Sequence, residues 1–263
     1  MKGGSQGRDP DGEFQGRGDS LGSVAIFGAT SGIARPVAER LAAQGETLIL
    51  IGRDGPALEA MAGAMERTHG RRPVSLVWDV LDHAGHAGRF RALSAAHSLQ
   101  GIFFAVGAQF PQEECERDPE KTRITMDTNL TGPAIILDLF AGHFRRQGSG
   151  WISCVSSVAG ERGRGKVLAY GASKAGLTAY LAGLRHRLAG TSVFVQTVKP
   201  GFVRTRMTAG MSSPLMADAE PVARQIVAAL RARREEVYTP GIWKWIMLII
   251  RCMPAPIFRR MKF

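Results

Sequence analysis

A chain of 263 residues, 44% hydrophobic and 22% charged, has the balance of a globular protein and is long enough to bury a full α/β core. Its three cysteines, Cys115, Cys154 and Cys252, lie far apart and form no CxxC pair or even framework, which argues against a disulfide scaffold and for a reduced, cytoplasmic setting. The net charge of +11 fits solubility, an anionic cofactor or an anionic membrane surface; with no RRM, zinc-finger or helix-turn-helix signature, no nucleic-acid partner is expected.

Residues 1–22 are rich in Gly, Asp and Arg and hold no apolar stretch. No secretory leader is expected there, and the segment reads as a disordered tail or an expression remnant. From Ser23 onward, strand and helix patterns alternate. Residues 23–27 (SVAIF) are a short apolar run ending in a glycine turn, the pattern of a buried strand. Small and apolar residues recur at helical spacing over 33–44, and 47–51 (TLILI) predicts a second buried strand. A helix near 55–69, a strand at 74–78 (VSLVW) and a weak helical stretch at 86–98 follow. Residues 101–106 (GIFFAV) predict a fourth strand, about 118–147 a long helix, and 151–156 (WISCVS) a fifth strand. An amphipathic helix over 168–189, a strand at 193–198 stopped by Pro200-Gly201, a helix near 219–232 and a short strand at 236–239 complete the series.

Such alternation predicts βαβ units and a parallel sheet, and strands apolar throughout predict helices on both faces. The fold class expected is α/β, one Rossmann-like doubly wound sheet of about seven strands, with one domain over residues 23–240 and a separate C-terminal tail at 241–263.

The first strand runs into Gly28-Ala-Thr30-Ser31-Gly32-Ile33-Ala34, and a helix follows. Glycines at such a turn let the backbone approach a pyrophosphate, and the helix N-terminus supplies N–H groups and partial positive charge. The second strand ends Ile51-Gly52-Arg53-Asp54. An NAD site needs a carboxylate there for the ribose 2′-OH; Gly52 takes that place, and the Arg53 fork suits a 2′-phosphate, so NADP(H) is expected. A one-residue shift would instead bring Asp54 to the ribose. Asp79, closing the third strand before Val80, either receives the adenine amine or caps the next helix. Gly107, after the fourth strand, would let the adenosine side pack closely. His83 and His86 stand three apart with no Cys or Glu at ligand spacing, so no metal site is expected.

Tyr170 and Lys174 open a helical run at i and i+4 and share one face. An ammonium one turn from a phenol would lower the phenol's pKa and make it a usable general acid. Ser156-Ser157 ends the fifth strand, where doubly wound sheets place ligands, and Ser157 can hydrogen-bond a carbonyl oxygen that gains charge. Asn129 falls in mid-helix, normally a mild liability; it could instead hold a water relaying a proton to Lys174.

Together, Gly28-x3-Gly32, Asn129, Ser157, Tyr170-x3-Lys174 and Pro200-Gly201-Phe-Val203-Arg-Thr205 resemble the short-chain dehydrogenase/reductase family over about residues 23–240. The resemblance implies a proton-transfer tetrad of Asn129, Ser157, Tyr170 and Lys174. It implies cofactor contacts from Gly28, Thr30, Ser31, Gly32, Ile33, Arg53, Asp79, Val80, Gly107, Tyr170, Lys174, Pro200 and Gly201, with Val203 and Thr205 on the nicotinamide carboxamide. Residues 206–218 would be a mobile substrate lid. One departure stands out: where the family has Asn-Asn-Ala-Gly after the fourth strand, this chain has Ala105-Val106-Gly107-Ala108.

The tail at 241–263 carries Lys244, Arg251, Arg259, Arg260 and Lys262, no acidic residue, and an apolar run of Trp245–Ile250, far short of the ~20 residues a membrane span needs. Trp and Phe among basic residues suit a segment lying on an anionic leaflet; the competing readings are an oligomer interface or a helix packed over the active site. With Ser157-Val-Ala-Gly-Glu-Arg162 and Arg204-Thr-Arg-Met207, the tail resembles a narrower group, the decaprenylphosphoryl-2-keto-pentose reductases. That resemblance implies a 2-keto sugar on a polyprenyl phosphate as substrate, reduced at the inner face of the membrane. The alternatives are a soluble carbonyl or 3-oxoacyl reductase acting as a homo-oligomer, and a non-enzymatic NADPH sensor.

Overall fold

The computed structural model describes residues 23–261; the expectation for residues 1–22, and Lys262 of the tail, lie outside them. Seven strands form one sheet: β1 (Ser23–Phe27), β2 (Leu48–Gly52), β3 (Val74–Val77), β4 (Leu99–Phe104), β5 (Ser149–Val155), β6 (Ser192–Pro200) and β7 (Glu236–Thr239). Their order is β3-β2-β1-β4-β5-β6-β7, and every neighbouring pair is parallel. The strand order reverses between β1 and β4, so a crevice opens at their C-terminal ends, the place where doubly wound sheets bind ligands.

The strands alternate their side chains between two cores. Val24, Ile26, Leu48 and Leu50 meet α1 (Ala34–Ala43), α2 (Gly55–His69) and α8 (Ala219–Arg231) on one face. Ala25, Phe27, Ile49 and Ile51 meet α3 (His86–Ala96), α6 (Gly132–Gln147) and α7 (Leu168–Arg187) on the other. His86 is fully buried in this second layer: its Nδ1 accepts from Trp78 Nε1 at 3.0 Å and its Nε2 lies 3.2 Å from the Val80 carbonyl. Both ring nitrogens therefore serve the core.

Three segments depart from the sequence expectation. The fourth strand runs over 99–104 rather than 101–106, because pairing of Phe27 with Phe104 ends where Gly28 turns away. A short helix, α4 (Gln112–Arg117), was not foreseen. The long helix of 118–147 is divided into α5 (Pro119–Met126), a π turn over Asp127–Thr131, and α6. Pro133 supplies the reason: it has no N–H to donate to the carbonyl of residue 129, so the helix widens there.

Two further helices, α9 (Trp243–Cys252) and α10 (Ala255–Phe258), follow β7. Among the described residues no helix is long and apolar enough to cross a membrane.

Candidate active site

The β1–α1 turn is built for close approach. Gly28 has φ +69°, and a Cβ there would lie 2.9 Å from the Ala105 carbonyl oxygen, so only glycine lets β1 leave the sheet beside β4. At Gly32 a Cβ would come within 2.6 Å of Thr205 Cγ2, which brings the turn and the segment after β6 together. The Ser31 hydroxyl accepts from Ala34 N at 3.1 Å and Ser31 N donates to the Gly28 carbonyl at 2.8 Å, with Thr30 and Ile33 half-buried along the turn. These open glycines ahead of a helix N-terminus fit a dinucleotide pyrophosphate.

At the end of β2 the Asp54 carboxylate caps α2, accepting from Ala57 N at 3.0 Å. One oxygen of the carboxylate is thus held at the start of α2. Arg53 beside it is exposed and has no ion-pair partner among the described residues. Asp79 accepts from Leu81 N at 2.9 Å, while the cap of the following turn is Asp82, not Asp79. Val80 is buried next to it. Gly107 follows β4, and a Cβ on it would lie 3.3 Å from Asn129 Oδ1 and 3.6 Å from Lys174 Nζ. The early end of β4 moves Gly107 past the sheet edge, to the Lys174 end of the crevice.

Here Asn129, Ser157, Tyr170 and Lys174 converge. Ser157 follows β5 and its Oγ accepts from Ala159 N at 3.1 Å. A Cβ at Gly160 would fall 2.6 Å from the Ala175 nitrogen, so the loop after Ser157 lies directly on α7. Ser156 bolts the same contact, donating to the Lys174 carbonyl at 3.0 Å and lying 2.6 Å from Thr178 Oγ1. The first turn of α7 lacks a local side-chain cap; Gln112 Oε1 from α4 accepts from Leu168 N at 2.9 Å instead. Tyr170 is thereby presented to Ser157, whose hydroxyl favours the ionised form of the phenol.

The surroundings of these side chains add a structural role for Asn129 and change the expectation for the Tyr170 phenol. Asn129, fully buried in the π turn, spends its amide on the backbone of Ala108: Nδ2 donates to the Ala108 carbonyl at 2.7 Å and Oδ1 accepts from Ala108 N at 2.9 Å. It holds the loop after β4, where the family's asparagines are missing, with one N–H and one lone pair of the amide. Lys174 is 3% exposed, and its ammonium donates to the Val155 carbonyl at 3.0 Å with no carboxylate partner among the described residues. Burial lowers its pKa to about 8. The Tyr170 phenol is raised above its ordinary value by burial; what opposes that rise is the Ser157 hydrogen bond and the charge of Arg164, not Lys174.

Behind the pocket, the tail is part of the wall. Trp243 packs on Gly201 so closely that a Cβ there would collide with the indole, and Gly201 N donates to the Thr239 carbonyl at 3.0 Å. Trp243 and Met247 form a small core with Val158, Phe202, Leu215 and Tyr238. Glu161 lies under this core; its Oε1 takes Lys199 Nζ at 2.8 Å and the Tyr238 hydroxyl at 2.5 Å, with Arg251 Nε 3.8 Å from the other oxygen. Arg162 donates to the last carbonyls of α9, those of Ile250 and Met253, and stacks on Phe258 at 4.0 Å. Beyond Pro200 and Gly201, Val203 bridges to Ala217, and Thr205 caps the turn over Arg206–Thr208. From that turn Met207 reaches over Gly107, 3.8 Å from where its Cβ would be. Arg164, Met207, Gly160 and the Glu161–Lys199 pair were missed in the sequence. Only Gly160 and the lone carboxylate Glu161 offered a signal.

The model of the short chain dehydrogenase family matches residues 23–215. An uncharacterized oxidoreductase of Streptomyces coelicolor is 34% identical over 240 residues, covering 91% of this chain and 95% of its own length. An uncharacterized oxidoreductase of Mycobacterium tuberculosis (strain H37Rv) is 33% identical over 240 residues, 90% of this chain and 96% of its own. Among solved structures, a short-chain dehydrogenase from Sphingobium yanoikuyae, in complex with NADPH, superposes with a TM-score of 0.74 at 23% identity, covering 91% of this chain and 96% of that one. The chain belongs to the short-chain dehydrogenase/reductase family. It is an NAD(P)-dependent oxidoreductase, which sets the sensor alternative aside.

Proposed function

We propose that the protein is an NADPH-dependent ketone reductase in which Tyr170 gives the proton. The observation that carries this reading is the convergence of Ser157 on Tyr170, one helical turn from a buried Lys174 without a carboxylate partner. NADPH, when bound, supplies the hydride to the carbonyl carbon. The Ser157 hydroxyl donates a hydrogen bond to the carbonyl oxygen as it gains negative charge, and Tyr170 Oη delivers the proton that makes it an alcohol. Lys174 then offers its ammonium to cofactor hydroxyls and keeps the pocket positive. Arg53, exposed and without an ion-pair partner among the described residues, favours the 2′-phosphate; Gly28, Gly32 and Thr205 line the path of the rest. The test is NADPH oxidation against a panel of ketones that includes a polyprenyl-phosphate 2-keto sugar. Turnover of a ketone with NADPH, lost in Tyr170→Phe, supports the reading; no turnover across the panel overturns it.

The tail supports a lipid-borne substrate. One side of α9 is spent on the protein core, yet the other side presents Ile242, Trp245, Leu248 and Ile249, with Trp245 62% and Ile249 65% exposed. Ile257 and Met261 extend this apolar face, and Lys244, Arg251, Arg259 and Arg260 surround it with no acid in the tail. Such a face suits an anionic leaflet, whose surface potential attracts each cation. Co-sedimentation of the full chain with phosphatidylglycerol vesicles is expected, and Trp245→Ser/Ile249→Ser should weaken it. A double variant that binds vesicles as before but loses self-association in light scattering would assign the face to a homo-oligomer and the enzyme to a soluble ketone.

A further inference from the structure

Between residues 139 and 217, the stretch that supplies Ser157, Tyr170, Lys174 and the segment over the pocket, the sequence has one carboxylate, Glu161. One oxygen of that carboxylate is taken by Lys199 and Tyr238, and the other is paired at 3.8 Å with Arg251. The cations of the same loop divide accordingly. Arg162 is saturated by the carbonyls at the end of α9 and by the ring of Phe258. Arg164, two residues on, caps nothing with its side chain. It is half-buried at the start of the Gly165–Val167 turn that leads into Tyr170, and it has no carboxylate and no hydrogen-bond acceptor among the described residues. Withdrawing a guanidinium from water without an acceptor is costly, and the cost is recovered only when an anion arrives. Its desolvation shows in a pKa held below the ordinary guanidinium value by burial, with the Tyr170 phenol the one group that opposes the shift. The turn that starts at Arg164 runs into the first turn of the helix bearing Tyr170, which places the residue at the reacting end of the pocket.

We propose that Arg164 binds an anionic group, a carboxylate or a phosphate, carried by the ketone substrate itself. The planar fork suits either oxyanion in a bidentate hold. Arg164 would thus set the substrate class to anionic ketones and fix which way the carbonyl points at Tyr170. This rests on the ketone-reductase reading and adds to it the recognition of charge.

The experiment uses the full chain with NADPH and two matched pairs. One is 4-acetylbenzoate with its methyl ester; the other is dihydroxyacetone phosphate with dihydroxyacetone. The readout is the ratio of kcat/KM for the anion to that for its neutral twin. The unmodified protein should favour the anion in at least one pair by about tenfold to hundredfold, chiefly through KM. Arg164→Gln should bring the ratio toward one, and Arg164→Lys, which keeps the charge but not the fork, should fall between. Preference for the carboxylate or for the phosphate pair separates the two anion sources. Binding to Tyr170→Phe loaded with NADPH, followed by its fluorescence, gives the same comparison without turnover. A chain that reduces neutral ketones but has the same ratio with and without Arg164 keeps the reductase function and overturns the anion site. A chain that reduces no ketone overturns the reductase reading, and the titration then decides the anion site by itself.

Discussion

Two lysines are buried within the same end of this sheet, and their surroundings are opposite. Lys199 is 4% exposed and meets Glu161 at 2.8 Å and Glu236 at 3.0 Å. Burial works against its ammonium, but the hydrogen bonds of those carboxylates prevail and raise its pKa. Lys174 is 3% exposed and meets only a backbone carbonyl, so burial prevails and its pKa falls to about 8. Arg162 and Arg164 repeat the contrast two residues apart. The lesson is that buried charge by itself marks nothing. A charge whose partners are complete holds the wall and the tail together; one left without a counter-ion stands where a cofactor or substrate is to supply it.

The strongest way to break that comparison is on the pocket side. Tyr170→Phe should lower the rate of ketone reduction about a thousandfold, with a melting temperature near that of the parent, because the phenol belongs to the reaction and not to the fold. Equal turnover by this variant would remove the site from the pocket altogether.

Next in size is the wall. Lys199→Met leaves Glu161 buried with Tyr238 and a distant Arg251, and should cost about 3 kcal/mol of stability. For a chain of this size that is a fall of roughly 6–12 °C in melting temperature. Lys199→Met/Glu161→Leu, which removes both charges, should regain most of it. A double variant as unstable as the single one would mean that the ion pair matters for something beyond its own charges.

Lys174→Met sharpens the contrast, because its two readouts should move in opposite directions. Reduction should fall about a hundredfold, while stability holds or rises. Lowering a lysine from 10.5 to about 8 stores about 3 kcal/mol in the protonated native state, which the variant no longer bears. Between about pH 8 and 10.5 the unfolded chain binds this proton more tightly than the folded one, so parent stability rises with pH there. Urea titrations across that range should show the rise in the parent and lose it in Lys174→Met. In the parent, the reduction rate should fall as pH passes through about 8 and the ammonium is lost.

Much of this was legible in the sequence because it rests on local pattern. β1, β2 and β7, and α1, α2 and α8, lie within a residue or two of their apolar periodicity, since burial on two faces leaves little freedom in register. Gly28, Gly32, Ser157, Tyr170 and Lys174 were legible as spacing. What was not legible depends on contacts across the chain. The role of Asn129 turns on Ala108, and the break at the π turn on Pro133 acting four residues back. The tail's part in the wall turns on Trp243 meeting Gly201; the spacing of Trp243, Ile246, Met247 and Ile250 marks an apolar helix face but not what it covers. Arg164 could not be told from Arg162 by any local rule; only knowing which carbonyls and carboxylates lie nearby separates them.

The smallest effect concerns the third uncommitted cation, at the other end of the crevice. Arg53 is exposed, so leaving it without a partner costs little, and the inference from it is weaker than that from Lys174 or Arg164. What strengthens it is its neighbour: one oxygen of Asp54 caps α2, a bond worth about 1 kcal/mol that holds the carboxylate at the helix start. Arg53→Ala should therefore raise the KM for NADPH about tenfold and leave that for NADH nearly unchanged, measured with one ketone at saturation. Asp54→Ala, which removes the cap, should lower the melting temperature without improving use of NADH. If Arg53→Ala shifts both cofactors equally, the arginine is part of the general charge of the cleft, and an unpartnered cation is informative in this protein only when it is also buried.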